Sequence, residues 1–197
     1  MSDTIESATW GKHAPTVGEV PAVALVDPKY PQNVGMVVRL ASCYGLRQVW
    51  FTGDRVTLDP AKGERLPREE RMKGYKDVRM IHHDHFFDRF PADAVPVAVE
   101  VRANSEPLHA FEHPDNALYV FGPEDGSIPK VLLGHCHRFV VIPTRHCLNL
   151  ATAVATVLWD REYKRWQGGT IDAPVTPGEY EQRGVVETPD DLEFAAR

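Results

Sequence analysis

Cysteine is scarce in this chain: there are three in 197 residues, Cys43, Cys136 and Cys147. An odd set, widely spaced except for the last two, fits free thiols in a reducing compartment and leaves no disulfide framework, so a cytoplasmic protein is expected. Long apolar runs are missing too. Stretches such as residues 23–26 and 139–142 fall far below the roughly 20 residues that span a bilayer. The opening Met1-Ser-Asp-Thr-Ile-Glu6 has no basic region followed by an apolar one, so neither a membrane partner nor export is expected. No Gly-x-Gly-x-x-Gly and no Gly-x-x-x-x-Gly-Lys-Ser/Thr occurs, which removes the main support for dinucleotide and nucleoside-triphosphate readings. A Gly-x-Ser-x-Gly nucleophile elbow is also lacking.

Positive charge is short overall, with 22 Lys and Arg against 28 Asp and Glu and a net charge of −6. The seven carboxylates and two arginines of residues 168–197 account for −5 of that, leaving the rest near −1. Within that rest, residues 62–79 hold seven basic side chains (Lys62, Arg65, Arg68, Arg71, Lys73, Lys76 and Arg79) against four acidic ones. A phosphate backbone responds to such a local patch rather than to whole-chain charge. A solvated, charged loop has the same composition.

A content of 43% apolar residues over this length suits one ordinary core. Residues 1–20 form an irregular lead-in, 21–166 the folded domain, and 167–197 an acidic tail rich in Pro and Gly. Residues 21–26 are a continuous apolar run of strand length, the mark of a strand covered on both faces. Asn33 is placed to cap a helix whose stripe is Val34, Val37, Val38 and Ala41 and which Gly45 ends. Further strands are expected at 47–51, 96–100, 117–121 and 138–142. Helices are expected near 84–90, 107–112 and 129–134, and a long one from Cys147 or Leu148 to about Trp166. Residues 62–79 are expected to be mostly loop with a short helix. This alternation predicts an α/β fold, a mainly parallel sheet with helices on both faces.

Three segments place polar and glycine residues where a strand hands over to the next element, the usual ligand position in an open α/β sheet. They are Asn33-Val-Gly-Met-Val-Val-Arg39, Phe121-Gly-Pro-Glu-Asp-Gly-Ser-Ile-Pro129 and Ile142-Pro-Thr-Arg-His-Cys-Leu-Asn-Leu150. Arg39 lies off the apolar stripe, with Gly35 one turn before it; its fork of donors suits a phosphate or a ribose oxygen, though an exposed helical arginine taken alone is more often a surface charge. The Gly122–Gly126 loop can wrap a ligand or be an ordinary tight turn. Asn149, near a helix start, can cap that helix or bond across the site. His82-His83-Asp84-His85 and His135-Cys136-His137 are dense, but adjacent ligands fit zinc poorly and no metal is expected. Cys147 has only His146 as a neighbour to activate it, so packing or ligand lining is the expected role.

Together the segments resemble the SPOUT superfamily of RNA methyltransferases in its SpoU/TrmH branch. The match is carried by Asn33, Gly35, Arg39 and Gly45, by Phe121, Gly122, Pro123, Glu124 and Gly126, and by Ile142, Pro143, Leu148, Asn149 and Ala151. The resemblance implies a C-terminal trefoil knot, an exception to the rule against threaded chains, a homodimer, and S-adenosylmethionine bent into the knot. It implies cofactor contacts from Val99 or Glu100, Gly122, Ile142, Cys147 and Leu148. Arg39 falls at the family's catalytic arginine, working on RNA bound across the dimer. Asn33, Glu124 and Asn149 join it in the site, Glu124 orienting by hydrogen bonds and Asn149 holding the loop, and no metal is required. Spacing over residues 46–80 is similar to that of short tRNA wobble-nucleotide ribose methylases, with Arg65, Arg68, Arg71 and Lys73 as RNA contacts. An rRNA methyltransferase and a non-catalytic RNA-binding relative stand as alternatives. Cys147 replaces the usual serine, the linker from Pro143 to Leu148 is short, and the acidic tail is outside the common pattern.

Overall fold

The computed structural model of the chain describes residues 17–56 and 78–171. Seven strands form one sheet: β1 (Ala22–Leu25), β2 (Gln48–Phe51), β3 (Arg79–His82), β4 (Val95–Val99), β5 (Glu106–Pro107), β6 (Ala117–Phe121) and β7 (Arg138–Val141). Their order is β3-β2-β1-β6-β4-β7-β5, and every neighbouring pair is parallel. The helices are α1 (Pro31–Cys43), α2 (Lys130–Leu133) and α3 (Leu150–Gln167).

Strand side chains alternate between two cores. Val23, Leu25, Val49, Phe51, Tyr119 and Phe121 pack with the apolar residues of α1 and α3. Ala22, Ala24, Trp50, Leu118 and Val120 pack with Phe86, Ile128 and Leu133 on the other side. A strand buried on both faces needs an unbroken apolar run, which is what residues 22–26 supply. On α1, Val34, Val37, Val38 and Ala41 are buried as their spacing predicts.

Several local expectations change. Helix α1 begins at Pro31, whose missing N–H is harmless in a first turn, with Tyr30 at the N-cap; Asn33 is inside the helix and 6% exposed. Residues 79–82, where only Arg79 fell in the expected loop and no strand was expected, form β3 because Met80 and Ile81 are buried beside β2. In place of a helix at 84–90 there is a 3-10 turn, Phe86–Arg89, in which only Phe86 is buried, so no amphipathic stripe supports more. Residues 107–112 divide into the end of β5 and a 3-10 turn, Leu108–Ala110. Helix α3 starts at Leu150 because the Asn149 side chain accepts the N–H groups of Ala151 (2.9 Å) and Thr152 (3.3 Å), a capping pattern.

The chain divides into two units, residues 1–160 and 161–197, and the sheet belongs to the first. In the second, Glu162 pairs with Arg161 and Arg165. Among the described residues no helix is long and apolar enough to cross a membrane.

Candidate active site

The register brings Val99, Phe121 and Val140 side by side at the C-terminal ends of β4, β6 and β7. On the other side of β6 lies β1, with Leu25 opposite Phe121. Here the chain order reverses, β2 and β3 extending one way from β1 and the later strands the other. A cleft of about 750 Å³, open solvent at its mouth included, opens beyond this point at the ends of β4, β6 and β7 and has no lining residue from β1. All six expected cofactor residues line it: Val99, Glu100, Gly122, Ile142, Cys147 and Leu148. A Cβ at Gly122 would stand 3.1 Å from the Ile128 nitrogen, so any side chain there would press the loop backbone by a few tenths of an ångström. Glu100 accepts that same Ile128 N–H at 3.0 Å and so ties the Gly122 loop to β4. Apolar walls with the carboxylates of Glu100 and Glu124 suit an organic cation with a flat apolar body.

The three motifs meet in one hydrogen-bonded relay. Because the Asn149 Oδ1 is taken up by the start of α3, its Nδ2 donates to the Asn33 Oδ1 at 3.0 Å. The Asn33 Nδ2 is then left to donate to the Glu124 Oε1 at 2.6 Å. The second carboxylate oxygen, Oε2, accepts the Lys29 N–H at 2.8 Å. Each amide thus has a single workable orientation. Glu124 lines the cleft, while Asn33 and Asn149 do not.

Next to Glu124, Asp125 meets two cations. Its carboxylate receives Arg55 Nη1 at 2.9 and 3.1 Å and Lys29 Nζ at 3.0 Å. Hydrogen bonds from Arg55, then Lys29, hold its pKa down to about 2. The same contact with Asp125 pushes the pKa values of Lys29 and Arg55 up.

Arg39 stands apart from this assembly. It lies on the exposed side of α1 with Gln32, Met36 and Cys43, does not line the cleft, and among the described residues has no hydrogen-bond or ion-pair partner. Arg65, Arg68, Arg71 and Lys73 lie outside the described residues. The histidine-rich runs do other work: His82 Nε2 is 2.7 Å from the Gly53 carbonyl and His135 stacks on Phe87. Sequence reasoning missed Lys29, Arg55 and Asp125. Arg55 and Asp125 are 70 positions apart, and only the adjacency of Asp125 to Glu124 offered any signal.

The model of the family described as the SpoU rRNA Methylase family matches residues 21–159. A tRNA (cytidine(34)-2'-O)-methyltransferase of Beijerinckia indica subsp. indica is 28% identical over 146 residues, 69% of this chain and 86% of that protein. The tRNA (cytidine-2'-O-)-methyltransferase TrmJ of Methanocaldococcus jannaschii is 25% identical over 171 residues, 77% of this chain and 71% of its own length. Among solved structures, one concerned with the 2-OH methylation of C/U34 on tRNA superposes with a TM-score of 0.62 at 23% identity, covering 75% of this chain and 96% of that one. The SpoU methyltransferase AviRb from Streptomyces viridochromogenes, in complex with AdoMet, gives 0.59 at 17% identity over 75% and 61% of the two chains. Both structural likenesses bear on the fold.

Proposed function

This chain belongs to the SpoU rRNA methylase family, and from that premise we propose that it transfers a methyl group from S-adenosylmethionine to a ribose 2′-hydroxyl of tRNA. The observation that carries the reading is the relay from Asn149 through Asn33 to Glu124 at the edge of a cleft lined by Val99, Glu100, Gly122, Ile142, Cys147 and Leu148. The curated relatives, both tRNA 2'-O-methyltransferases, favour tRNA as substrate. The cofactor fits this donor set: the apolar walls suit its adenine, and the Glu100 and Glu124 carboxylates suit its hydroxyl and cationic groups. When bound, it supplies an electrophilic methyl group on a positively charged sulfur.

The residues of the chain do the rest. Val99, Ile142 and Leu148 would hold the ring, and Glu100, Gly122 and Cys147 line the same pocket. Glu124, pinned at both oxygens, orients the site without the cost of rearranging during reaction. As the hydroxyl oxygen takes the methyl group its proton must leave, and a guanidinium does not accept one. Arg39 therefore stabilises the developing alkoxide, while a substrate phosphate or solvent takes the proton. Since Arg39 does not line its own cleft, it serves RNA bound across a homodimer. Exposed Met36 on α1 is apolar surface that such a partner would cover. In this reading residues 21–166 are the methyltransferase domain, its C-terminal part is a trefoil knot, and residues 167–197 are an accessory tail. Arg65, Arg68, Arg71 and Lys73 add phosphate contacts, no metal is needed, and the protein works in the cytoplasm.

The test is incubation with labelled S-adenosylmethionine and total RNA, followed by mapping of the labelled nucleotide. A 2′-O-methyl group in tRNA is expected. Label confined to rRNA would move the substrate to the class in the family's own description, and no label together with no cofactor binding would indicate a non-catalytic relative.

A further inference from the structure

Glu124 owes its setting to two donors on separate segments, the Asn33 side chain on α1 and the Lys29 backbone N–H on the loop after β1. The helix fixes the first. A backbone N–H in a partly exposed loop stays in place only if its loop is fastened to the loop carrying Glu124, 95 positions away.

We infer that Arg55 is a positioning residue for the Glu124 carboxylate, fastening the loop after β1 to the loop after β6. On one side its Nε pairs with the Asp27 carboxylate at 2.9 Å and its Nη2 donates to the Asp27 carbonyl. On the other its Nη1 reaches both oxygens of Asp125. Asp27 is two residues before Lys29 and Asp125 is one after Glu124, so one rigid guanidinium sets donor and acceptor against each other.

The loop after β2, which carries Arg55, is shaped for this. Gly53 has φ +76, and a Cβ there would lie 2.2 Å from the Asp27 Oδ1, so only glycine lets Asp27 approach. Asp27 itself adopts φ 45, held by its N–H to the Thr52 Oγ1 at 3.0 Å. The Gly53 N–H bonds Asp84 at 3.1 Å, which extends the fastening to the loop after β3. Exposed ion pairs add little to global stability. Their effect here falls on the geometry of one hydrogen bond.

The catalytic consequence rests on the proposed function; the structural one does not. Amide exchange at Lys29 is measured by NMR on the full chain for wild type, Arg55→Ala, Arg55→Lys and Asp125→Asn, with Glu124→Ala giving the unprotected rate. Arg55→Ala is expected to raise Lys29 exchange about tenfold, toward the Glu124→Ala value, with sheet amides unchanged. Arg55→Lys, which keeps charge but loses the fork, falls between. Asp125→Asn tests the same fastening if Arg55→Ala does not fold. It also removes the direct pair between Lys29 Nζ and Asp125 at 3.0 Å, so Lys29→Met, which removes that pair and keeps Arg55, runs beside it and is expected to leave the residue-29 exchange near wild type. A wild-type Lys29 rate in the Arg55 and Asp125 variants overturns the inference. In the methylation assay Arg55→Ala is expected to lower kcat about tenfold with Tm within about 3 °C of wild type. An unchanged kcat, or a loss matched by general unfolding, overturns the positioning role. If the wild type methylates no RNA, the proposed function fails while the exchange measurement still decides this one.

Discussion

Asn33→Asp is the sharpest probe of the relay, because it keeps the shape of the side chain and replaces one donor with an acceptor. Asn33 is 6% exposed, and its Nδ2 is 2.6 Å from the Glu124 Oε1. An oxygen in that place sets two carboxylates against each other. With both ionised at that separation, an effective dielectric of about 20 gives a repulsion of about 6 kcal/mol. Taking up one proton costs less: about 4 kcal/mol at pH 7.5 for a carboxyl of ordinary pKa near 4.3, at about 1.4 kcal/mol per pH unit. The folded variant therefore holds a shared proton, and the two carboxyls titrate as one coupled pair. Its protonated form can donate where Asn33 donated, so the bond is restored in acid. The linkage sign follows: the folded state binds more protons than the unfolded one, so stability rises as pH falls from 7.5 to 5.5, by roughly 2–3 kcal/mol. Urea unfolding across that range, with wild type and Asn33→Ala alongside, reads the effect. Asn33→Ala should lose about 2–4 kcal/mol at every pH, having removed two bonds, one to a charged group. An Asn33→Asp curve parallel to wild type would refute the relay.

Three further outcomes are expected. Asp125→Asn should differ from wild type above about pH 4 and converge with it as the pH falls toward 2, because a depressed carboxyl contributes above its unfolded pKa and loses that contribution through its folded one; acid titration of both proteins checks this. In thiol labelling, Cys136, buried and with its pKa pushed up to about 12, should stay unreacted while exposed Cys43 and Cys147 react, and S-adenosylmethionine should slow Cys147 alone. Arg39→Ala should leave cofactor affinity near wild type and cut single-turnover methylation at least about a hundredfold, the scale of losing one oxyanion donor; near-normal turnover would remove Arg39 from the chemistry.

Much of this was legible residue by residue. The apolar run at 22–26 had to be a strand covered on both faces, since only the middle of a parallel sheet hides every side chain of such a run. The stripe from Val34 to Ala41 fixed the buried face of α1. Periodicity located the strand ends where ligands lie in such sheets, but which residues wall the cleft came from the family resemblance, which implied Val99 or Glu100, Gly122, Ile142, Cys147 and Leu148 together. Cap assignment at Asn33 failed for a definite reason. A side chain suited to capping is equally suited to a buried relay, and only the presence of Glu124 at 2.6 Å separates the two.

Local pattern, then, settled β1, β2, β4, β6, β7 and the buried faces, since each depends on residues within a few positions of one another, but not β3 or β5. Tertiary structure alone decided which polar groups meet. Asn33 finds Glu124 across 91 positions and Asn149 across 116, and Arg55 finds Asp125 across 70. Such pairings arise from strand order, which places β1 beside β6 and β2 beside β1, and strand order is settled by the packing of the whole sheet.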